Sequence, residues 1–384
     1  MLKQLLYKIE VYVNLFLFNF KLHSFLKDRE ITYNNNVKQK KINVAYEFPV
    51  FFLEHIYFFL LALIPLKKKI NFSLFYFLEK KDFITKIIKF IFLFNIDKIL
   101  NKNKIEFINY HFYKKDYEDK INKIFQKLKN KKDVLKIEHK NYKIGKFIYQ
   151  SYCREEYQPK LDFKDVALKK YIYQAFNYTD NALIFFKRKK YSHAFVTHAG
   201  YLKYNCFNLV AKSYGCKISI FSRWDNYRSI RFIDITKQLT QDENYHDYKK
   251  NFEKLKNKKK KIFLSVKELN QRNLSLKKNQ RIHKFNVNSS FFDFNKYDKN
   301  PNKICILPPC MFDTLFHFKN NLFDEPYEWL EFVLKIAEKT KFSWYLKPHP
   351  DGHYKNKEVF DKLKIKYKSI KFIDPNISAL SFKK

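Results

Sequence analysis

The stretch KFSWYLKPHPDGHYKN, residues 341 to 356, stops a strand-like run abruptly at Lys347, Pro348, His349 and Pro350. The prolines deny the backbone both a helix and a continuing strand, so a cation and an imidazole are held side by side on a stiff turn. Such a pair suits a diphosphate or a carboxylate. Both side chains donate to oxyanions, and an imidazole also moves protons near neutral pH. The competing reading is an ordinary strand-to-helix turn that exposes a Lys and a His.

Three further stretches carry residues of the same kind. THAGY holds Thr197, His198, Gly200 and Tyr201. Gly200 would let backbone approach a ligand closely, while His198 has the alternative role of a satisfied histidine at a strand end. In LPPCMFDTLFHF, residues 307 to 318, Asp313 and His317 are four apart and on a helix would share a face, although an Asp near a helix start also serves as a cap. SRWDNYRSIRF, residues 222 to 232, brings Arg223, Trp224, Asp225, Arg228 and Arg231. Stacking and guanidinium contacts there would hold a sugar or phosphate; the alternative is a surface loop around a half-buried Trp.

The elements that must position these residues follow from the alternation of apolar runs, which predicts βαβ units. INVAY (42 to 46) reads as a strand, 50 to 65 as a helix, FSLFYF (72 to 77) as a strand and 81 to 94 as a helix, with short strands near 97 to 100 and 104 to 108. Residues 164 to 189 read as a helix, HAFVTH (193 to 198) as a strand, about 203 to 214 as a helix, and KISIFS (217 to 222) as a strand. Gly215 falls where a helix C-terminus wants a left-handed residue. This unit sets THAGY past the C-terminal end of a strand, where open α/β sheets bind ligands. Residues 236 to 300 are polar and rich in Lys and Asn, and read as a helical, solvated connection whose charge run KKNFEKLKNKKKKIF is an exposed face without function. After Pro301 a second α/β pattern begins. KICILPPC opens with a strand, 326 to 339 is a helix with Pro in its first turn, and FSWYLK (342 to 347) is a strand. A helix over about 355 to 366 and the strand IKFID (370 to 374) complete it.

Composition sets the class. With 384 residues, 46% of them apolar, the chain can bury two cores of ordinary size. Its formal charge of +39, from 77 basic and 38 acidic residues, points first to nucleic acid or anionic membrane. However, Lys, Asn, Ile, Phe and Tyr are abundant together beside only four glycines, as an AT-rich coding sequence would produce, and the basic residues are scattered. Nucleic acid is therefore not expected as a partner, whereas peripheral association with an anionic membrane is kept. Cys153, Cys206, Cys216, Cys305 and Cys310 form no C-x-x-C pair, so they read as reduced thiols of a cytoplasmic protein with neither metal nor cofactor. The first 25 residues have an apolar centre broken by Glu10 and Asn14 and do not read as a signal peptide. FPVFFLEHIYFFLLALIPLKKK, residues 48 to 69, is nearly long enough to span a bilayer but contains Glu54 and His55, so a buried or membrane-surface helix is expected.

Three blocks carry a family resemblance: SHAFVTHAGYLKYNCFNLVAKSYGCKISIF, then ILPPCMFDTLFHFKNNLFDEPYEWLEFVLKIAEKTKFSWYLKPHP, and the IDP at 373 to 375. They resemble bacterial capsule and surface-polysaccharide biosynthesis proteins, glycosyltransferase-like enzymes of the GT-B architecture. The resemblance implies an α/β fold of two Rossmann-like domains. The expected layout is an N-terminal extension (1 to 40), an acceptor-side α/β domain (41 to 235), the polar connection (236 to 300) and a donor-side domain (301 to 384). It implies a nucleotide-sugar donor and a saccharide or lipid-linked acceptor. His349 and Pro350 would lie by the donor with Lys347 adjacent; His198, Gly200 and Tyr201 would face them from the acceptor side, and Arg223 is a further substrate contact. Such families continue into a glycine-containing loop, yet no glycine follows Gly352, so the donor-side domain is expected to be truncated.

The expected function is transfer of a sugar from a nucleotide-activated donor. One base must take the acceptor hydroxyl proton, and cations must stabilise the leaving phosphate. His198 or Asp313 is the candidate base; Lys347 and His349 are the candidate cations. The alternatives are a nucleotide-sugar epimerase of the same architecture, or a non-catalytic basic protein of membrane surfaces or nucleic acid.

Overall fold

The computed structural model describes residues 42–47, 70–76, 106–109, 115–224, 229–237, 239, 252–276, 292–294, 298–312, 322–349, 354–375, 377 and 382–383. The helices expected over 50 to 65 and 81 to 94, the strand near 97 to 100, the apolar stretch 48 to 69, Asp313 and Pro350 lie outside the described residues.

The chain is mixed α/β. In order the elements are β1 (Ile42–Glu47), β2 (Ile70–Tyr76), β3 (Glu106–Asn109), α1 (Glu118–Gln126), α2 (Lys131–Leu135), β4 (Glu138–His139), β5 (Tyr142–Lys143), α3 (Gly145–Glu155), α4 (Leu168–Arg188) and β6 (His193–Val196). There follow α5 (Tyr201–Ser213), β7 (Lys217–Trp224), β8 (Ser229–Asp234), α6 (Lys258–Leu276), β9 (Phe292–Asp293), β10 (Lys303–Ile306), α7 (Pro326–Ala337), β11 (Ser343–Leu346), α8 (Tyr354–Lys366), β12 (Lys371–Phe372) and β13 (Phe382–Lys383). They fall into two compact units. One holds residues 1–127, 136–147 and 169–241; the other holds 128–135, 148–168 and 242–384.

The first unit is organised by a six-stranded sheet in the order β3-β2-β1-β6-β7-β8. All neighbours are parallel except β7 and β8, which run antiparallel. Central β1 is flanked on both sides, with Val44 opposite Phe72 of β2 and His193 of β6. A strand with two neighbours hides its backbone, and Val44 and Ala45 are buried to match. Along α4 the buried positions Leu168, Tyr171, Ile172, Ala175, Phe176, Ala182, Phe185 and Phe186 recur at helical spacing, which gives the helix one continuous apolar face. Phe207, Val210 and Ala211 of α5 and Ile218 and Ile220 of β7 join the same core. Helix α5 ends as its sequence requires: Gly215 has φ +77°, its N–H donates to Lys212 O, and the Cys216 N–H donates to Ala211 O.

A short hairpin, β4 and β5, turns at Lys140 and Asn141, both with positive φ, as a two-residue turn of this hand needs. It carries His139 onto the ring of Phe176, stacked at 4.1 Å, and onto Asp180, whose Oδ1 accepts from His139 Nε2 at 2.9 Å. Lys140 Nζ lies 2.7 Å from the same oxygen, and the Tyr117 hydroxyl donates to Oδ2. Burial works to raise the Asp180 pKa, but the donors His139, Lys140 and Tyr117 outweigh it and hold the carboxyl well below the usual range.

In the second unit β10, β11 and β12 form a parallel sheet. Leu330, Leu334 and Ala337 of α7 pack with Val359, Phe360 and Leu363 of α8 over Ile306 and Leu346. Pro326 opens α7, where a missing N–H costs nothing. Buried Glu325 precedes it, 3.4 Å from Lys131 Nζ, and accepts from Leu161 N, so the two early segments are tied to this unit by one carboxylate. Burial pushes the Glu325 pKa up to about 7 against the attraction of Lys131.

Two departures from the sequence reading stand out. SRWDNYRSIRF is not a loop over its described length: β7 runs on through Trp224 and β8 returns from Ser229, so Arg223 is a strand residue opposite Ile230. The elements between residues 115 and 155 had no counterpart in the periodicity reading.

Replacing Asp180 with Ala strands His139 and Lys140 without their acceptor and is expected to cost about 3 kcal/mol in urea unfolding at neutral pH. Because the folded pKa of Asp180 is lowered, its contribution is complete above about pH 4 and is lost as pH falls through the folded value. The Asp180→Ala variant should therefore lose less stability on acidification than the parent chain does.

Candidate functional site

In the first unit strand order reverses between β1 and β6: β2 and β3 extend to one side, β7 and β8 to the other. Chain connections leave such a pair in opposite directions, which opens a crevice past the strands' C-terminal ends. Glu47 is the last residue of β1, and Thr197 and His198 directly follow β6. The register sets Tyr46 beside Phe195, which brings Glu47 level with this loop.

Glu47 is only 4% exposed, yet its Oε2 accepts two hydrogen bonds, from Thr197 N at 2.7 Å and Thr197 Oγ1 at 2.9 Å. Burial of the carboxylate pushes its pKa up to about 7. The Thr197 amide, the nearby Lys203 cation and the Thr197 hydroxyl pull it back without overcoming burial. Thr197 Oγ1 also lies 2.9 Å from His198 Nδ1. A threonine hydroxyl has one hydrogen; once that hydrogen is given to Glu47, Oγ1 meets Nδ1 only as an acceptor. Nδ1 then carries the proton, and Nε2 is left as the basic nitrogen of the neutral ring. The half-buried His198 ring stacks on Tyr204 at 5.0 Å, and its carbonyl accepts from Asn208 Nδ2 at 3.4 Å.

Helix α5 begins at this point. Buried Gly200 takes its N-cap position with φ −141° and ψ 167° and offers no side-chain cap, so the first helix N–H groups face the loop without one. Tyr201 follows with φ +63°, a left-handed conformation that costs a non-glycine residue on the order of 1 kcal/mol. Strain of this kind concentrates at functional sites.

Lys347 and His349 belong to the second unit. Lys347 is buried past the end of β11, and its ammonium donates to Pro375 O at 3.0 Å and Pro348 O at 3.4 Å. Burial lowers its pKa, against the opposing pull of Cys305 and Asp374. His349 is exposed. Lys347 thus fastens the residues after β11 to Asp374 and Pro375 after β12. Among the described residues no group of three His, Cys, Asp or Glu is placed to hold a metal ion.

The structure brings His198, Gly200 and Tyr201 together at one loop and helix start and adds Glu47, which sequence reading passed over. The available signal was an acidic residue closing a largely apolar strand, INVAYE. No protein-family model, curated protein or solved structure matches the chain. Among the described residues no helix is long and apolar enough to cross a membrane.

A raised carboxyl pKa has a definite sign in stability. Folded Glu47 binds a proton more tightly than the unfolded chain does. Its contribution is full below the ordinary value of 4.5 and is lost as pH rises to about 7. Unfolding across that interval should show the parent losing about 3 kcal/mol relative to Glu47→Gln, which has no proton to lose. Parallel pH profiles for the two proteins would show that the carboxyl is not held in a desolvated state.

Proposed function

We propose that the chain is a sugar transferase of surface-polysaccharide assembly, working on the cytoplasmic side of the membrane with a nucleotide-activated donor. The observation that carries this reading is the Glu47–Thr197–His198 chain at the reversal of strand order. In the reading, two Rossmann-like units form a GT-B-like enzyme, consistent with the parallel strands and with the family resemblance of THAGY and KPHP.

The chemistry follows from the geometry of the chain. With Glu47 ionised, the Thr197 hydroxyl is polarised toward it and Nδ1–H of His198 toward Thr197, so Nε2 is the basic atom that takes the proton of an acceptor hydroxyl. The imidazolium that forms is stabilised by the polarised threonine and the carboxylate behind it. With Glu47 protonated, that support weakens. Catalysis should then fall on the acid side of about pH 7, where the Glu47 carboxyl takes up its proton. Lys347 and His349 are the proposed partners of the donor phosphates.

The test uses UDP-, CMP- and GDP-sugars with saccharide acceptors. His198→Ala should lower turnover by about 10² to 10⁴ while leaving nucleotide-sugar binding unchanged. Glu47→Gln should flatten the acid limb of the rate profile. Lys347→Met and His349→Ala should weaken donor binding by about 1.5 to 3 kcal/mol for each charged hydrogen bond lost. No binding of any of these donors, or full activity of His198→Ala, would overturn the assignment; interconversion of a donor without transfer would identify an epimerase instead.

A further inference from the structure

Residues 252 to 276 present an unusual combination. Phe252, Leu255, Ile262, Phe263, Leu264 and Val266 are all exposed, Phe263 to 66%. Immediately around them the sequence from 249 to 261 holds eight lysines, Lys249, Lys250, Lys254, Lys256 and Lys258 through Lys261, against the single acid Glu253. Asn257, with φ +56°, turns the chain into α6, whose first turn is therefore Lys258, Lys259, Lys260 and Lys261 with no acidic residue. That arrangement opposes the helix dipole, since the positive end of a helix favours anions and these lysines repel it and one another. Local rules broken this way are expected at functional or strained sites.

We infer that the start of α6 and the turn before it form a docking element for an anionic lipid bilayer. The geometry sets each apolar side chain one helical turn after a lysine: Ile262 after Lys258, Phe263 after Lys259, Leu264 after Lys260. Lys258, Lys259, Ile262, Phe263 and Val266 fall on one side of the helix, where lysine stems lie along apolar surface while their ammonium groups reach outward, so that side offers cations to headgroups and a ring and branched chains to the acyl boundary. A shallow depression lined by Leu255, Asn257, Lys258, Lys259 and Lys260 lies at the start of α6 and suits a headgroup phosphate. A second copy of the chain is a poor occupant, because it carries the same charge of +39. A nucleic acid would engage the lysines but leave Ile262, Phe263 and Val266 in water. This inference is independent of the transferase reading, since bilayer binding is measured without any sugar present.

The experiment is vesicle flotation of the full chain on phosphatidylcholine vesicles with and without phosphatidylserine. The parent should float only with the anionic vesicles. Lys258→Glu, Lys259→Glu, Lys260→Glu and Lys261→Glu together should lower the partition coefficient at least about tenfold. The control carries the same charge change on and just after α7 and on α8, as Lys335→Glu, Lys339→Glu, Lys362→Glu and Lys364→Glu, and should float like the parent. Ile262→Ser, Phe263→Ser and Val266→Ser together, all on exposed positions, should leave binding that moderate salt abolishes. Equal losses in the two lysine sets would overturn the inference and leave only net charge. An unaffected serine variant would also overturn it, and tight oligonucleotide binding lost with the α6 lysines would then identify nucleic acid as the partner.

Discussion

The carboxylate of Glu47 sits at the end of a strand that has neighbours on both sides, where its lost hydration must be replaced by fixed donors. Among the described residues Thr197 supplies them directly, through amide and hydroxyl on one oxygen. That double bond fixes where the loop after β6 leaves the sheet. The loop has four residues, 197 to 200, before α5 begins. Its first residue is tied to β1 and its last is buried at the helix start, so His198 between them has little freedom. The incomplete compensation, visible in a carboxyl pushed up to about 7, is what lets this group respond to pH at all.

The same physics is used for a different end elsewhere. Asp180, Glu325 and Lys347 are buried charges that join segments distant in sequence: a hairpin to α4, the segments holding α2 and residue 161 to the start of α7, and the ends of β11 and β12. Asp180 is fully supplied with donors and its pKa falls, which marks a structural tie. At Glu47 burial outweighs the donors and its pKa rises, next to a histidine and a strained helix start. Glu325 is raised in the same way, so the neighbouring histidine and the strained helix start, rather than the direction of the shift, set Glu47 apart.

Much of this was readable from the residues. The strand, loop, helix, strand unit around THAGY emerged from periodicity, with Gly215 at the helix end and Pro326 at a helix start, because those signals are local. The acidic end of β1 was visible, but the pairing of Glu47 was not readable, since its partner lies 150 residues away and is met through the register of β1 with β6. The β4–β5 hairpin escaped because two-residue strands have no period, and its Lys140–Asn141 turn lacks the glycine that usually announces such a turn. SRWDNYRSIRF left a ligand-binding segment and a surface loop open, and its strand pairing was missed because the antiparallel return of β8 onto β7 carries no strong period in those residues. Lys347 was read correctly as a strand-end residue; its burial against two carbonyls depends on β12 and is invisible in the KPHP stretch itself.

The strained start of α5 bears on the role proposed for His198. Left-handed Tyr201 would relax if α5 could shift, but Phe207, Val210 and Ala211 anchor the helix in the core and the Gly215 turn pins its far end. The strain is thus held by the fold rather than by the loop. In the proposed transferase, a held conformation would spare a bound substrate the free energy of ordering the helix N–H groups and the His198 ring. The stacked Tyr204 ring one turn into α5 restricts the imidazole further, leaving proton position along the Glu47–Thr197–His198 chain as its remaining variable.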